Sequence, residues 1–136
     1  MMKLGVIKEG KVPLDIRVPL IPEHIAKLVS EYPQFQVMVE HSESRCYKDN
    51  EYSTVGIKVQ PDVSSADVML GVKEVPIPNL LQGKTYLFFS HTIKKQPYNR
   101  KLLQEILKKE ITLIDYETLT DKKGIRIVAF GRYAGI

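Results

Sequence analysis

The sequence predicts an α/β domain: a mostly parallel sheet with helices on both faces. Three observations carry this. Short apolar runs alternate with segments whose apolar residues recur at helical spacing. One run, Asp67 to Val72 (DVMLGV), is apolar almost throughout, as a strand buried on both faces should be. The chain has 136 residues, 43% hydrophobic and 26% charged, which is ordinary globular composition with enough length for one buried core. Those figures exclude a disordered chain, a collagen-like repeat and a disulfide scaffold. No internal repeat or linker divides the chain, so residues 1–136 are read as one domain.

The elements follow in order. Lys3 to Ile7 is a short apolar run read as the first strand. Pro22 sits where a first-turn proline is tolerated, and Ile25, Leu28 and Val29 follow at helical spacing until Pro33 closes the helix. Phe35, Val37 and Val39 alternate with Gln36, Met38 and Glu40, which predicts a strand. Asp49 to Val55 reads as a short helix and Ile57 to Val59 as a short extended piece. Asp67 to Val72 and Tyr86 to Phe89 are the next strands. Pro97 opens a helix whose apolar stripe is Leu102, Leu103, Ile106 and Leu107. Ile111 to Ile114 and Ile125 to Phe130 read as the last strands, separated by the turn Asp121-Lys122-Lys123-Gly124.

Twenty Lys and Arg against sixteen Asp and Glu give a net charge of +4. The basic doublets Lys94-Lys95, Lys108-Lys109 and Lys122-Lys123 are scattered, and no aromatic residues alternate with basic ones as in a base-stacking platform. Nucleic acid is therefore not expected as a partner. No apolar run approaches the length of a membrane span. The N-terminal MMKLGVIKEGK lacks an apolar stretch of signal-peptide length, so a cytoplasmic protein is expected. The single cysteine, Cys46, fits a reducing compartment.

In parallel α/β sheets ligands sit beyond the carboxyl ends of the strands. The residues that follow the strands are Lys8 and Glu9, with Asp15 and Arg17 on the loop behind them; Lys73 and Glu74; Ser90 and His91; and Asp115 and Glu117. Arg17 offers a planar fork for a substrate carboxylate. His91 is the natural proton carrier at neutral pH. Lys73 can act as acid or base, or hold an anionic substrate as a cation. Glu74 and Glu117 can tune both through their charge. Each residue also has a plainer reading: a solvated turn for Lys73 and Glu74, a hydrogen-bonded structural histidine for His91, a surface ion pair for Arg17. His24 and His41 read as surface residues, and Cys46 lacks neighbours for metal binding or nucleophilic catalysis.

The eight glycines form no G-x-G pair and no Walker pattern, so the chain carries no recognisable dinucleotide site.

Taken together, the segments resemble a known family. LGVIKEGKVPLDIRVPLIPEHIAKL looks like the N-terminal, substrate-side domain shared by alanine dehydrogenase, the proton-translocating transhydrogenase and the saccharopine dehydrogenases. Its pattern is a short strand, a Lys-Glu, then Arg-Val-x-Leu-x-Pro before a helix. GVKEVP (Gly71 to Pro76) matches the Lys-Glu-Pro region of the same group. FFSHTIKKQPYNRKLLQEIL (Phe88 to Leu107) and LIDYETLTDKKGIRIVAFGRYAG (Leu113 to Gly135) are most similar to lysine–2-oxoglutarate reductase, the saccharopine-forming enzyme. Alanine dehydrogenases carry a different stretch in place of Ala129-Phe130-Gly131-Arg132-Tyr133.

The resemblance implies a Rossmann-like or flavodoxin-like substrate domain of a two-domain dehydrogenase. It aligns Lys73 and His91 with the family's catalytic lysine and histidine, the acid–base pair for imine formation and hydrolysis. It aligns Arg17 with a substrate-carboxylate ligand, Asp15 with a second acidic position, and Glu74 and Glu117 with carboxylates near the site. The implied substrates are saccharopine, or lysine with 2-oxoglutarate. NAD or NADP would be held by a Rossmann domain absent from this chain, so the isolated 136 residues are expected to bind no cofactor and to be inactive. Self-association is expected if the missing domain leaves an apolar docking surface. The alternatives are an alanine-dehydrogenase-like activity on pyruvate and a non-catalytic carboxylate-binding module.

Overall fold

A computed structural model describes residues 1–91 and 97–128. Strands β1 (Met2–Val6), β2 (Phe35–Glu40), β3 (Lys58–Gln60), β4 (Val68–Lys73), β5 (Thr85–Phe89) and β6 (Thr112–Asp115) form one sheet in the order β3-β2-β1-β4-β5-β6. Every neighbouring pair is parallel. The helices are α1 (Pro22–Glu31), α2 (Asp49–Thr54) and α3 (Arg100–Lys108), with 3-10 turns at Ile77–Asn79, Pro97–Asn99 and Tyr116–Thr118. Strands step outward from β1 in both directions, so the winding reverses between β1 and β4. That switch point is where a doubly wound sheet opens a crevice beyond its carboxyl ends.

The strand alternation sorts side chains into two cores. On one face Leu4, Val6, Val37, Val39 and Leu70 pack with Ile25 of α1 and Tyr52 of α2. On the other, Met38, Met69, Tyr86 and Phe88 pack with Leu102 and Ile106 of α3, and with Val63 and Ala66 of the β3–β4 connection. That connection lies directly on β1: a Cβ on Gly5 would sit 2.9 Å from the Ala66 Cβ. Glycine at position 5 is what lets the crossover approach. In α1, Pro22 occupies the first turn, Ile25 is fully buried, and the helix ends at Glu31 with Tyr32 as its cap, ahead of Pro33, which cannot continue a helix.

Two sequence expectations are corrected. In α3 only Leu102 and Ile106 are buried, whereas Leu103 is 41% and Leu107 71% exposed. The buried pair sits one turn apart, and Leu103 and Leu107 lie about 100° further round the helix. The second concerns Ile125 to Phe130. Residues 125–128 form no strand, and Arg126 makes only an isolated antiparallel bridge to Thr120. The Asp121 side chain accepts from the N–H groups of Lys123 and Ile125, and Ile127 N–H donates to Leu119 O at 3.0 Å. The expected turn thus folds the segment back on its own approach instead of onto β6. Ala129 and Phe130 lie outside the described residues, as do Lys94-Lys95 and the stretch through Tyr133. No helix among the described residues is long and apolar enough to cross a membrane.

Candidate active site at the carboxyl edge of the sheet

The ends of β1 and β4 form the first half of the site. Asp15 and Arg17 make a two-toothed ion pair, with Arg17 Nη2 2.6 Å and Nε 2.9 Å from the carboxylate oxygens, while the Arg17 N–H donates to Asp15 Oδ1 at 2.9 Å. The loop geometry and the ion pair thus fix each other. The guanidinium holds the Asp15 carboxyl below its ordinary value, and Asp15 in turn raises Arg17. Lys73 Nζ, at the end of β4, lies 3.9 Å from Asp15 Oδ2. Asp15, Arg17 and Lys73 are therefore one charged cluster. Cys46 N–H, from the loop between β2 and α2, donates to Ile16 O at 2.9 Å and anchors the loop between the paired residues.

The ends of β5 and β6 form the second half. Ser90 is fully buried, and its N–H donates to Asp115 Oδ2 at 3.0 Å while its hydroxyl also donates to that oxygen. The other Asp115 oxygen accepts from Glu117 N–H at 2.9 Å. Asp115 therefore ties the ends of β5 and β6 together and starts the 3-10 turn that presents Glu117. Glu117 Oε1 then meets His91 Nδ1 at 2.7 Å, and Glu117 Oε2 meets Arg126 Nη2 at 3.2 Å. His91 adopts φ 61°, left-handed backbone, where histidine is more often tolerated than most residues. Asn99, buried at the start of α3, donates to His91 O at 3.3 Å and holds that conformation.

The two halves adjoin. Lys73 is paired in register with Phe89, two residues before His91. The Tyr116 hydroxyl donates to Gly71 O at 2.8 Å across β5, with its ring against Phe89 at 5.0 Å between centroids. A cavity of about 600 Å³ opens at the β1–β4 switch, lined among others by Lys8, Glu9, Glu40, Asp62, Lys73 and Tyr86. Lys73 lines that cavity and also faces the Asp15–Arg17 pair.

The fold thus brings Asp15, Arg17 and Lys73 into one cluster and His91 and Glu117 into another beside it. Glu74 is placed differently: it pairs with Lys11, and its Oε2 is buried with no hydrogen-bond partner among the described residues. His24 and His41 are exposed, although His41 Nδ1 meets Asp49, and Cys46 is exposed and free. Sequence reasoning noted Glu9 only as a residue following a strand, and missed Tyr116 and Arg126. The signal for Tyr116 was its place between Asp115 and Glu117, but its reach to β4 depends on sheet order.

The end of β1 is not built as the pyrophosphate turn of a dinucleotide-binding fold. No helix begins there; the next starts at Pro22, so no helix N-terminus is offered to a pyrophosphate. The Glu9 carboxylate fills the adjoining position and accepts the N–H groups of Val72 and Lys73. Among the described residues no cluster of His, Cys, Asp and Glu suits a metal ion.

Residues 5–136 match the family model described as alanine dehydrogenase/PNT, N-terminal domain. The chain is 48% identical over 120 residues to the mitochondrial alpha-aminoadipic semialdehyde synthase of Bos taurus, covering 88% of this chain and 13% of that protein. It is 33% identical over 129 residues to a saccharopine dehydrogenase (NAD(+), L-lysine-forming) of Schizosaccharomyces pombe, covering 90% of this chain and 34% of that protein. A solved L-alanine dehydrogenase shares the fold, with a TM-score of 0.73 at 24% identity over 90% of this chain and 34% of its own. The chain thus spans an eighth to a third of the proteins it resembles.

Proposed function

We propose, from the premise that this chain belongs to the alanine dehydrogenase/PNT N-terminal domain family, that it is the substrate-side domain of a saccharopine-forming or saccharopine-cleaving dehydrogenase of lysine metabolism. The observation that carries the reading is that Lys73 and His91 stand on neighbouring strand ends, each beside a carboxylate, with Arg17 in the Lys73 cluster. The similarity to the S. pombe saccharopine dehydrogenase, an L-lysine-forming enzyme, supports the lysine-related substrate class.

In this reading Arg17 holds a carboxylate of 2-oxoglutarate or saccharopine, which competes with or shares the Asp15 pairing. A charge-assisted contact of this kind contributes about 1.5–3 kcal/mol. The lysine side-chain amine adds to the keto carbon to give a carbinolamine, and loss of water gives the imine. Those steps need a proton taken from the attacking nitrogen and one given to the departing hydroxyl. In this reading Lys73 Nζ and His91 Nε2 exchange them. Glu117 orients the imidazole by accepting from Nδ1–H, which leaves Nε2 for proton transfer. Asp15 and Glu74 are carboxylates of the same edge, Asp15 acting directly on Arg17 and Lys73. NAD or NADP supplies or accepts hydride when bound by a second domain, and this chain's residues exclude water and move the protons.

The test is a full-length assay of NAD(P)H oxidation with lysine plus 2-oxoglutarate, against pyruvate plus ammonia. Lysine-dependent turnover that falls in Lys73→Met and His91→Ala supports the reading. Turnover only with pyruvate and ammonia assigns an alanine-dehydrogenase-like activity, and activity with neither leaves a carboxylate-binding module.

A further inference from the structure

We propose that Glu9 and Tyr116 are positioning residues for Lys73, gripping the irregular end of β4 from opposite sides so that the lysine is aimed at the strand-end cleft. The proposal rests on the preceding reading of Lys73 as an acid–base group.

β4 runs in regular register with β5 as far as Leu70, which faces Leu87. The next pair is Lys73 with Phe89, three steps on β4 against two on β5, so β4 carries one extra residue. On its other side the ladder to β1 ends at the same place: Val6 pairs with Leu70, and Leu70 O takes the Ile7 N–H at 3.0 Å. Gly71, Val72 and Lys73 therefore run beyond regular pairing to β1 just as the strand bulges. A bulge re-aims side chains and leaves backbone groups out of the ladder, and those groups must be paired if they are buried.

Glu9 and Tyr116 supply the partners. Glu9 Oε2 accepts from Val72 N–H at 3.1 Å and Oε1 from Lys73 N–H at 2.7 Å. In a flat strand consecutive N–H groups point to opposite edges, so their convergence on one carboxylate is a mark of the kink. Tyr116 OH donates to Gly71 O at 2.8 Å from the far side of β5. Gly71 itself leaves the room: a Cβ there would lie 3.2 Å from Ile7 Cδ1 and 3.4 Å from Glu9 Oε2. Tyr116 is buried and Glu9 half-buried, and burial pushes the Glu9 carboxyl and the Tyr116 phenol up from their ordinary values.

The test uses the full-length protein with Glu9→Gln, Tyr116→Phe, Lys73→Met and the double variant Glu9→Gln/Lys73→Met. Glu9→Gln is expected to lower kcat by about tenfold to a hundredfold, the cost of misplacing a reacting group, with KM for 2-oxoglutarate within about twofold. Tyr116→Phe keeps the ring and should move kcat in the same direction by less. Amide exchange at Val72 and Lys73 should quicken by about tenfold while β2 is unchanged. The double variant should turn over no more slowly than Lys73→Met alone, because Glu9 acts through the lysine. Multiplying losses would show that Glu9 acts on substrate directly and overturn the proposal, as would unchanged exchange or unchanged kcat. The rate of reductive methylation at Lys73, resolved by peptide mass, reads the same amine without substrate. If the wild-type enzyme lacks lysine-dependent turnover, the preceding reading fails. A methylation rate equal in wild type, Glu9→Gln and Tyr116→Phe would overturn the positioning claim whatever the reaction.

Discussion

Glu117 Oε1 lies 2.7 Å from His91 Nδ1, while Asp115 fixes both ends of that contact by accepting from Ser90 N–H and Glu117 N–H. The imidazole is thus held by a carboxylate whose own backbone is tied to the strand end that carries the histidine. Glu117→Gln keeps the shape and removes the charge. Its kcat is expected to fall by about tenfold or more, with KM changed by less than about twofold. A rise in KM alone would make Glu117 a substrate ligand instead.

Arg17→Ala is expected to raise KM for the substrate carboxylate by about tenfold to a hundredfold, matching the loss of a charge-assisted contact. Arg17→Lys should recover only part of this, since an ammonium cannot reproduce the planar fork. Steady-state kinetics with 2-oxoglutarate varied checks both, and an effect confined to kcat would remove the clamp role.

The Asp15–Arg17 pair gives the protein an acid limb. Because Arg17 holds the Asp15 carboxyl below its ordinary value, the pair stabilises the fold above the unfolded-state pKa, about 3.9. That stability is lost as pH falls through the lower folded-state value. Thermal melting of wild type and Asp15→Asn is expected to differ most near neutrality and to converge as pH falls through the lowered folded-state value. A constant gap across that range would mean the ion pair is not its source. Glu9 has the opposite sign: its raised carboxyl favours the fold most at low pH, and this is lost as pH rises through the folded-state value.

The two sides of α3 should respond differently to truncation. Leu102→Ala empties a buried position against β5 and is expected to cost about 2–5 kcal/mol. Leu107→Ala, 71% exposed, should stay within about 0.5 kcal/mol. Denaturant unfolding checks both. A large loss at Leu107 would show that another part of the full-length protein covers it.

Much of the fold was legible because single-strand and single-helix patterns are local. DVMLGV reads as a doubly buried strand and became β4, and the alternation of Phe35 to Glu40 matched β2 at both ends. Pro22 and Pro33 bracketed α1 for reasons that act within one turn. The extent of the α3 stripe was not legible, because four leucines and isoleucines on one helix do not say which arc meets a sheet. The described part of the Ile125 to Phe130 run, residues 125–128, departs from the expected strand similarly. Its apolar residues fit a strand, but the Asp121 turn offered the backbone other partners.

By itself the sequence determined the α/β alternation, the strand-end residues and their chemistry, because hydrophobic period, proline placement and residue type are properties of short segments. Sheet order, the partner of each charge and the kink at the end of β4 were decided only by the tertiary structure. Glu74 pairs with Lys11, Glu9 is spent on the backbone of Val72 and Lys73, and Tyr116 reaches Gly71 across an intervening strand. These contacts join residues 45 to 64 positions apart. They follow from which strands lie side by side, and no local pattern encodes that.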